Sequence, residues 1–116
     1  LNSGELSCAF FVTSILKMFD LISTQHATVA STLKDMESVG WIQIDKPRIG
    51  SVIFWEPQMN SDGTLHGHVG FCVGDEEAIS NSTSQHTPQR HHITYGEEHP
   101  RKIISILWHK RLDLAR

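Results

Sequence analysis

The stretch His66-Gly67-His68-Val69-Gly70-Phe71-Cys72-Val73-Gly74-Asp75-Glu76-Glu77-Ala78-Ile79-Ser80-Asn81-Ser82 decides the fold. Across Gly67 to Val73 the side chains alternate: Val69, Phe71 and Val73 point to one face, and His68, Gly70 and Cys72 to the other. Gly74-Asp75-Glu76 is a turn signal, and Glu77 to Ser82 reads as the return strand. The unit is therefore a β-hairpin, which commits the chain to antiparallel pairing.

Upstream, Ser51-Val52-Ile53-Phe54-Trp55 predicts a strand ended by Pro57, because proline donates no ladder hydrogen bond. Trp41 to Ile44 reads as a short extended segment, and Asn60-Ser61-Asp62-Gly63 as a loop. Downstream, a polar loop over Ser82 to Arg90 precedes an expected strand from His91 to Tyr95 and a last one from Lys102 to His109. Before all of these the period changes to helical. Cys8, Phe11, Ile15, Met18 or Phe19, and Ile22 form a stripe on a helix expected over Glu5 to Ile22. A second helix follows the N-cap residues Ser23 and Thr24, with Val29, Leu33 and Met36 on one face and Gly40 closing it. Helices first and strands after predict an α+β domain spanning 1–116, its helices packed on an antiparallel sheet of about five strands.

The composition bounds the function. In 116 residues, 39% are hydrophobic and 20% charged, with a formal net charge of -3, so a dedicated nucleic-acid surface is not expected. The apolar stretch Ala9 to Ile22 is too short for a membrane span and is broken by Thr13, Ser14, Lys17 and Asp20. The chain opens without an initiator Met or a signal peptide and reads as an excised domain, which leaves its compartment open. Cys8 and Cys72 sit in different settings, one at a helix and one in a core strand, and are expected as separate thiols.

The chemistry starts at Cys8. A thiol at a helix start feels the helix dipole, which favours thiolate, and its own backbone N–H is a candidate oxyanion donor. His68, flanked by glycines that leave room for close approach, is the candidate base. His66 has the same strand parity but lies nearer the loop, and ranks second. A third polar group should hold the imidazole from the return strand. An even turn places Asn81 on the His68 face, and an odd turn places Ser80 or Ser82 there. Taken singly, Cys8 reads as a small buried hydrophobe and His68 as a solvated strand histidine. The 8 histidines invite a metal site, but there is no His-Glu-x-x-His or Cys-x-x-Cys, and His91 and His92 point oppositely on a strand. Neither a metal nor another cofactor is expected.

The ordered motifs resemble a known family. Ser7-Cys8-Ala9-Phe10, Gly40-Trp41, Lys46-Pro47-Arg48-Ile49-Gly50-Ser51-Val52-Ile53-Phe54-Trp55 and His68-Val69-Gly70-Phe71-Cys72-Val73-Gly74-Asp75 are similar to the NlpC-type cell-wall peptidases. These are papain-like cysteine hydrolases, with CHAP-type amidases as close relatives. The resemblance covers about Ser7 to Ser82. It implies Cys8 as nucleophile, His68 as general base, no cofactor, and amide bonds of peptidoglycan stem peptides as substrate. The implied third residue falls by position on Ser80 and by chemistry on its neighbour Asn81. A wall substrate implies a secreted or cell-envelope setting. The chain departs from the family in having Ser7 and Ala9-Phe10 around the cysteine and Gly50-Ser51 in place of Gly-Asp. These changes motivate a rival expectation: a silent domain of the same fold that binds peptidoglycan or a protein partner.

Overall fold

The computed structural model describes residues 4–59, 63, 65–81, 87–96 and 101–114, without the side chains of 4–7 and 114. Asn60, Ser61, Asp62 and Ser82, named above as loop or hairpin positions, lie outside the described residues. The architecture is α+β: the described residues form two α-helices and a six-stranded sheet whose neighbouring strands all pair antiparallel. In chain order the elements are α1 (Gly4–Met18), α2 (Val29–Ser38), β1 (Ile42–Gln43), β2 (Val52–Met59), β3 (Leu65–Cys72), β4 (Glu77–Asn81), β5 (Pro88–His92) and β6 (Ile103–Trp108). A 3₁₀ turn over Lys110–Leu114 follows. Spatial order is β1-β6-β2-β3-β4-β5.

β2 is the centre of the sheet, and its run Val52-Ile53-Phe54-Trp55 is buried throughout. Such a continuous apolar run requires cover on both faces. On one face Val52, Phe54, Val69 and Leu107 join Cys8, Ala9, Val12 and Leu16 of α1 and Met36 of α2. On the other, Ile53, Trp55, Cys72 and Ala78 form a second core with Ile93 from the segment after β5. Burying each large apolar side chain stabilises the fold by about 1.5–3 kcal/mol relative to leaving it exposed. His68 pairs with Trp55 across β2 and β3 and shares the second face. It is buried there, where a solvated histidine was the expectation from its strand alone.

Several boundaries differ from the sequence expectation, each for a local reason. Helix α1 ends at Met18, four residues before Ile22, because Asp20 takes a left-handed φ of 59°. The bonds Leu21 N–H to the Leu16 carbonyl and Asp20 N–H to the Lys17 carbonyl then close a Schellman cap. Its buried stripe is Cys8, Ala9, Val12, Thr13 and Leu16, turned about one residue from the predicted one, and Met18 and Phe19 are exposed. Thr13 can sit inside because its hydroxyl donates to the Ala9 carbonyl (2.8 Å) and accepts from the His26 N–H (3.0 Å). The N-cap of α2 is Thr28, which accepts from the Ser31 N–H, so Ser23 and Thr24 are not caps. Pro57 does not end β2: a register shift between Trp55 and Gln58 absorbs it. The strand expected over His91 to Tyr95 lies earlier, at Pro88–His92, and Tyr95 falls in the turn beyond it.

Candidate active site

The hairpin turn settles which residue of β4 meets His68. The Val73 N–H donates to the Glu77 carbonyl, leaving Gly74, Asp75 and Glu76 between them, an odd connection. Phe71 then pairs with Ile79 and Cys72 with Ala78, and continuing that register sets Gly70 opposite Ser80. Ser80 thus shares a face with Gly70 and His68, while Asn81 takes the opposite parity. Gly70 is required by closeness: a Cβ there would lie 2.5 Å from the Ile79 carbonyl oxygen and 2.8 Å from Ser80 Cβ. Asn81, which the chemistry favoured, is therefore not the residue brought to the imidazole. Ser80 is, with its Oγ 2.9 Å from His68 Nε2.

Ser80 is the hub of a larger buried network. Its Oγ also lies 2.8 Å from His91 Nε2 and 3.2 Å from the Tyr95 hydroxyl. Strand β5 delivers His91 to this face by pairing it with Ala78. The turn after β5 delivers Tyr95, whose φ of 66° is uncommon for a bulky residue, followed by Gly96 at 82°. The Tyr95 ring stacks on His91 with centroids 4.0 Å apart and planes at 15°. Trp55 forms the floor, its ring centroid 5.4 Å from those of His68 and Tyr95 and 5.5 Å from His91. The indole is itself held by an N–H bond to the Ile93 carbonyl (2.7 Å), which ties the turn to the sheet.

Burial dominates the electrostatics. It lowers His68 from the ordinary imidazole value to about 3, helped by the positive charge of Arg101 and by His91, so the ring is neutral across the physiological range. Burial likewise lowers His91 and raises the Tyr95 hydroxyl to about 12, so Tyr95 stays protonated. Arg101 is held by Nε donating to the Glu56 carbonyl (3.0 Å) and Nη2 to the His66 carbonyl (2.8 Å). The His66 carbonyl and the His68 ring thus both belong to the site.

Cys8 is placed differently from expectation. Helix α1 starts at Gly4, so Cys8 lies in its second turn, where a backbone N–H points to the carbonyl one turn back and is unavailable as an oxyanion donor. The side chain is fully buried, packed with the helix-side core cluster. What the two residues share is a pair of neighbours. Charge at the Cys8 sulfur acts on both Tyr95 and Arg101, which flank His68. No disulfide joins Cys8 and Cys72. The Cys72 thiol donates to the Gly74 carbonyl (3.2 Å), and burial raises its pKa, the inert condition for a thiol.

His91, Tyr95 and Arg101 are the site residues that sequence reasoning did not assign. For His91 the signal was its strand alternation against His92, which the structure reproduces; Tyr95 and Arg101 lie outside regular elements and carried none. Among the described residues, no group of three or more His, Cys, Asp or Glu is placed to hold a metal ion. No described helix is long and apolar enough to cross a membrane. An apolar cavity of about 390 Å³, lined by Ile15, Leu16, Phe19, Leu21, Trp41 and Phe71 among others, lies at the far end of α1 and includes none of these polar groups. Compared with known protein families, curated proteins and solved structures, the chain finds no match.

Proposed function

We propose that the domain is a cysteine hydrolase, a peptidase or amidase of the NlpC type within the papain-like fold, acting on amide bonds of peptidoglycan stem peptides. The observation that carries this reading is the 2.9 Å bond between His68 Nε2 and Ser80 Oγ. Ser80 is the position where the resemblance places the third polar residue. A neutral, oriented imidazole is the form a general base needs. In this reading His68 takes the Cys8 proton and the sulfur attacks the amide carbonyl. The C–N bond breaks as the imidazolium returns its proton to the amine, and water, with His68 again as base, hydrolyses the thioester. On a wall substrate the domain works in the cell envelope or outside the cell.

A second reading is favoured by one observation: Cys8 is completely enclosed, within the helix ladder and among apolar neighbours. It describes a silent domain of the same fold that binds peptidoglycan or a protein partner. Digesting purified peptidoglycan and identifying released fragments by mass spectrometry separates the two. New stem-peptide fragments, absent with Cys8→Ala, are expected of the hydrolase. Intact peptidoglycan that nevertheless sediments the protein is the outcome of the silent domain.

A further inference from the structure

A serine hydroxyl has one proton to give, and Ser80 has three polar neighbours: His68 Nε2, His91 Nε2 and the Tyr95 hydroxyl. Which neighbour receives that proton is decided one step further out. His91 Nδ1 lies 2.7 Å from the main-chain carbonyl oxygen of His92, an atom that only accepts. Nδ1 of His91 must therefore carry the hydrogen, and in the neutral ring Nε2 is then a lone pair. Ser80 has to donate to it. With its proton committed, Ser80 can only accept from its other two neighbours, so His68 must present Nε2–H. The remaining nitrogen of His68, Nδ1, is left as the basic one.

We propose that His91 is a positioning residue that, acting through Ser80, holds His68 in the tautomer whose Nδ1 is free to take a proton. Tyr95 completes the hub by donating to the second lone pair of Ser80, and its stacking on His91 keeps that ring in place. The device explains how serine serves where an amide or a second imidazole would be the stronger orienter. A hydroxyl alone can turn and offer its proton to His68, producing the opposite tautomer, and His91 removes that freedom. The tautomer follows from the hydrogen-bond chain alone. Its catalytic use rests on the hydrolase reading.

The test is ¹⁵N-resolved NMR of the imidazoles in the full chain at neutral pH, which reports the tautomer without reference to activity. Wild-type His68 is expected wholly as Nε2–H. His91→Phe keeps the ring volume and the stack but removes the acceptor, and His68 should become a mixture of tautomers. His91→Gln, whose side-chain carbonyl reaches the Nε2 position, should restore Nε2–H. With an active substrate in hand, kcat should fall about 10²-fold in His91→Phe at unchanged KM and recover in His91→Gln. His68 found as Nδ1–H in the wild type, or unmoved in His91→Phe, overturns the proposal. A wild-type Nε2–H signal with no hydrolysis of any wall fragment leaves the hydrogen-bond chain standing and defeats only the hydrolase reading.

Discussion

Two polar knots in this molecule, each containing a histidine, differ in the group at the centre. At the helix side the centre is the Asp35 carboxylate, which accepts from the Ser23 hydroxyl (2.6 and 2.7 Å), from the Ser23 and Thr24 N–H groups, and contacts His26 Nε2 at 2.6 Å. At the sheet side the centre is the Ser80 hydroxyl, between two histidines and a tyrosine. A carboxylate only accepts, so it gathers every donor in reach and pins the segment after α1 to α2. A hydroxyl both gives and takes, so it transmits direction: the proton placed at one neighbour dictates the proton at the next. The first arrangement is suited to holding a scaffold, the second to setting the state of a reactive ring.

That contrast predicts unequal consequences. The largest is expected for Ser80→Ala, which should lower kcat on the cleaved wall fragment about 10²-fold with KM in place, because His68 loses its fixed tautomer and orientation. Asp35→Ala should instead cost about 2–3 kcal/mol of stability through the donors left unpaired, with kcat of the folded protein unchanged. Steady-state kinetics beside urea denaturation checks both; equal losses of kcat in the two variants would erase the distinction. Next in size is Gly70→Ala. Its new Cβ meets main-chain oxygen and Ser80 within 3 Å, and overpacking of this kind costs about 1–3 kcal/mol, readable as a lower urea midpoint.

The pH dependence of stability sharpens the contrast further, because the two knots occupy different windows. His68 is lowered to about 3 by burial, so between its ordinary value and that point the unfolded chain binds a proton that the folded one refuses. Stability from its neutral burial is full at neutral pH and declines as pH falls from about 6.5, with His91 acting in the same direction. At Asp35 burial alone would raise the carboxyl. The hydrogen bonds from Ser23, His26 and Thr24 outweigh it and hold the group below the usual carboxyl value of 3.8. Its contribution is present above that value and is lost only at lower pH. Urea midpoints across pH should therefore show one decline relieved by replacing His68 with Phe and a second, more acidic one relieved by Asp35→Asn.

The α+β class, the hairpin and the central apolar strand were legible in the sequence because alternation and turn residues are local signals. The identity of the residue facing His68 was not, because one residue more or less in the turn exchanges Ser80 for Asn81, and only the Val73–Glu77 pairing resolves it. The face of α1 was misread because Thr13 looks polar until its hydroxyl finds two main-chain partners. The helix start agrees with the sequence to one residue, Gly4 against Glu5, but Cys8, where the apolar run begins, lies a full turn inside it. Tyr95 left no trace in the periodicity, since it reaches the site through a turn in left-handed backbone conformation.

The central claim is that His68 serves as base to the Cys8 thiol. Labelling of the folded protein with iodoacetamide at neutral pH, with the modified cysteine located by peptide mass spectrometry, tests it without any choice of substrate. Cys8 should react in preference to Cys72, and its rate should fall at least about 10²-fold in His68→Ala, the scale of a lost general base. A Cys8 that remains unmodified while the protein is folded, or that reacts at the same rate without His68, contradicts the account.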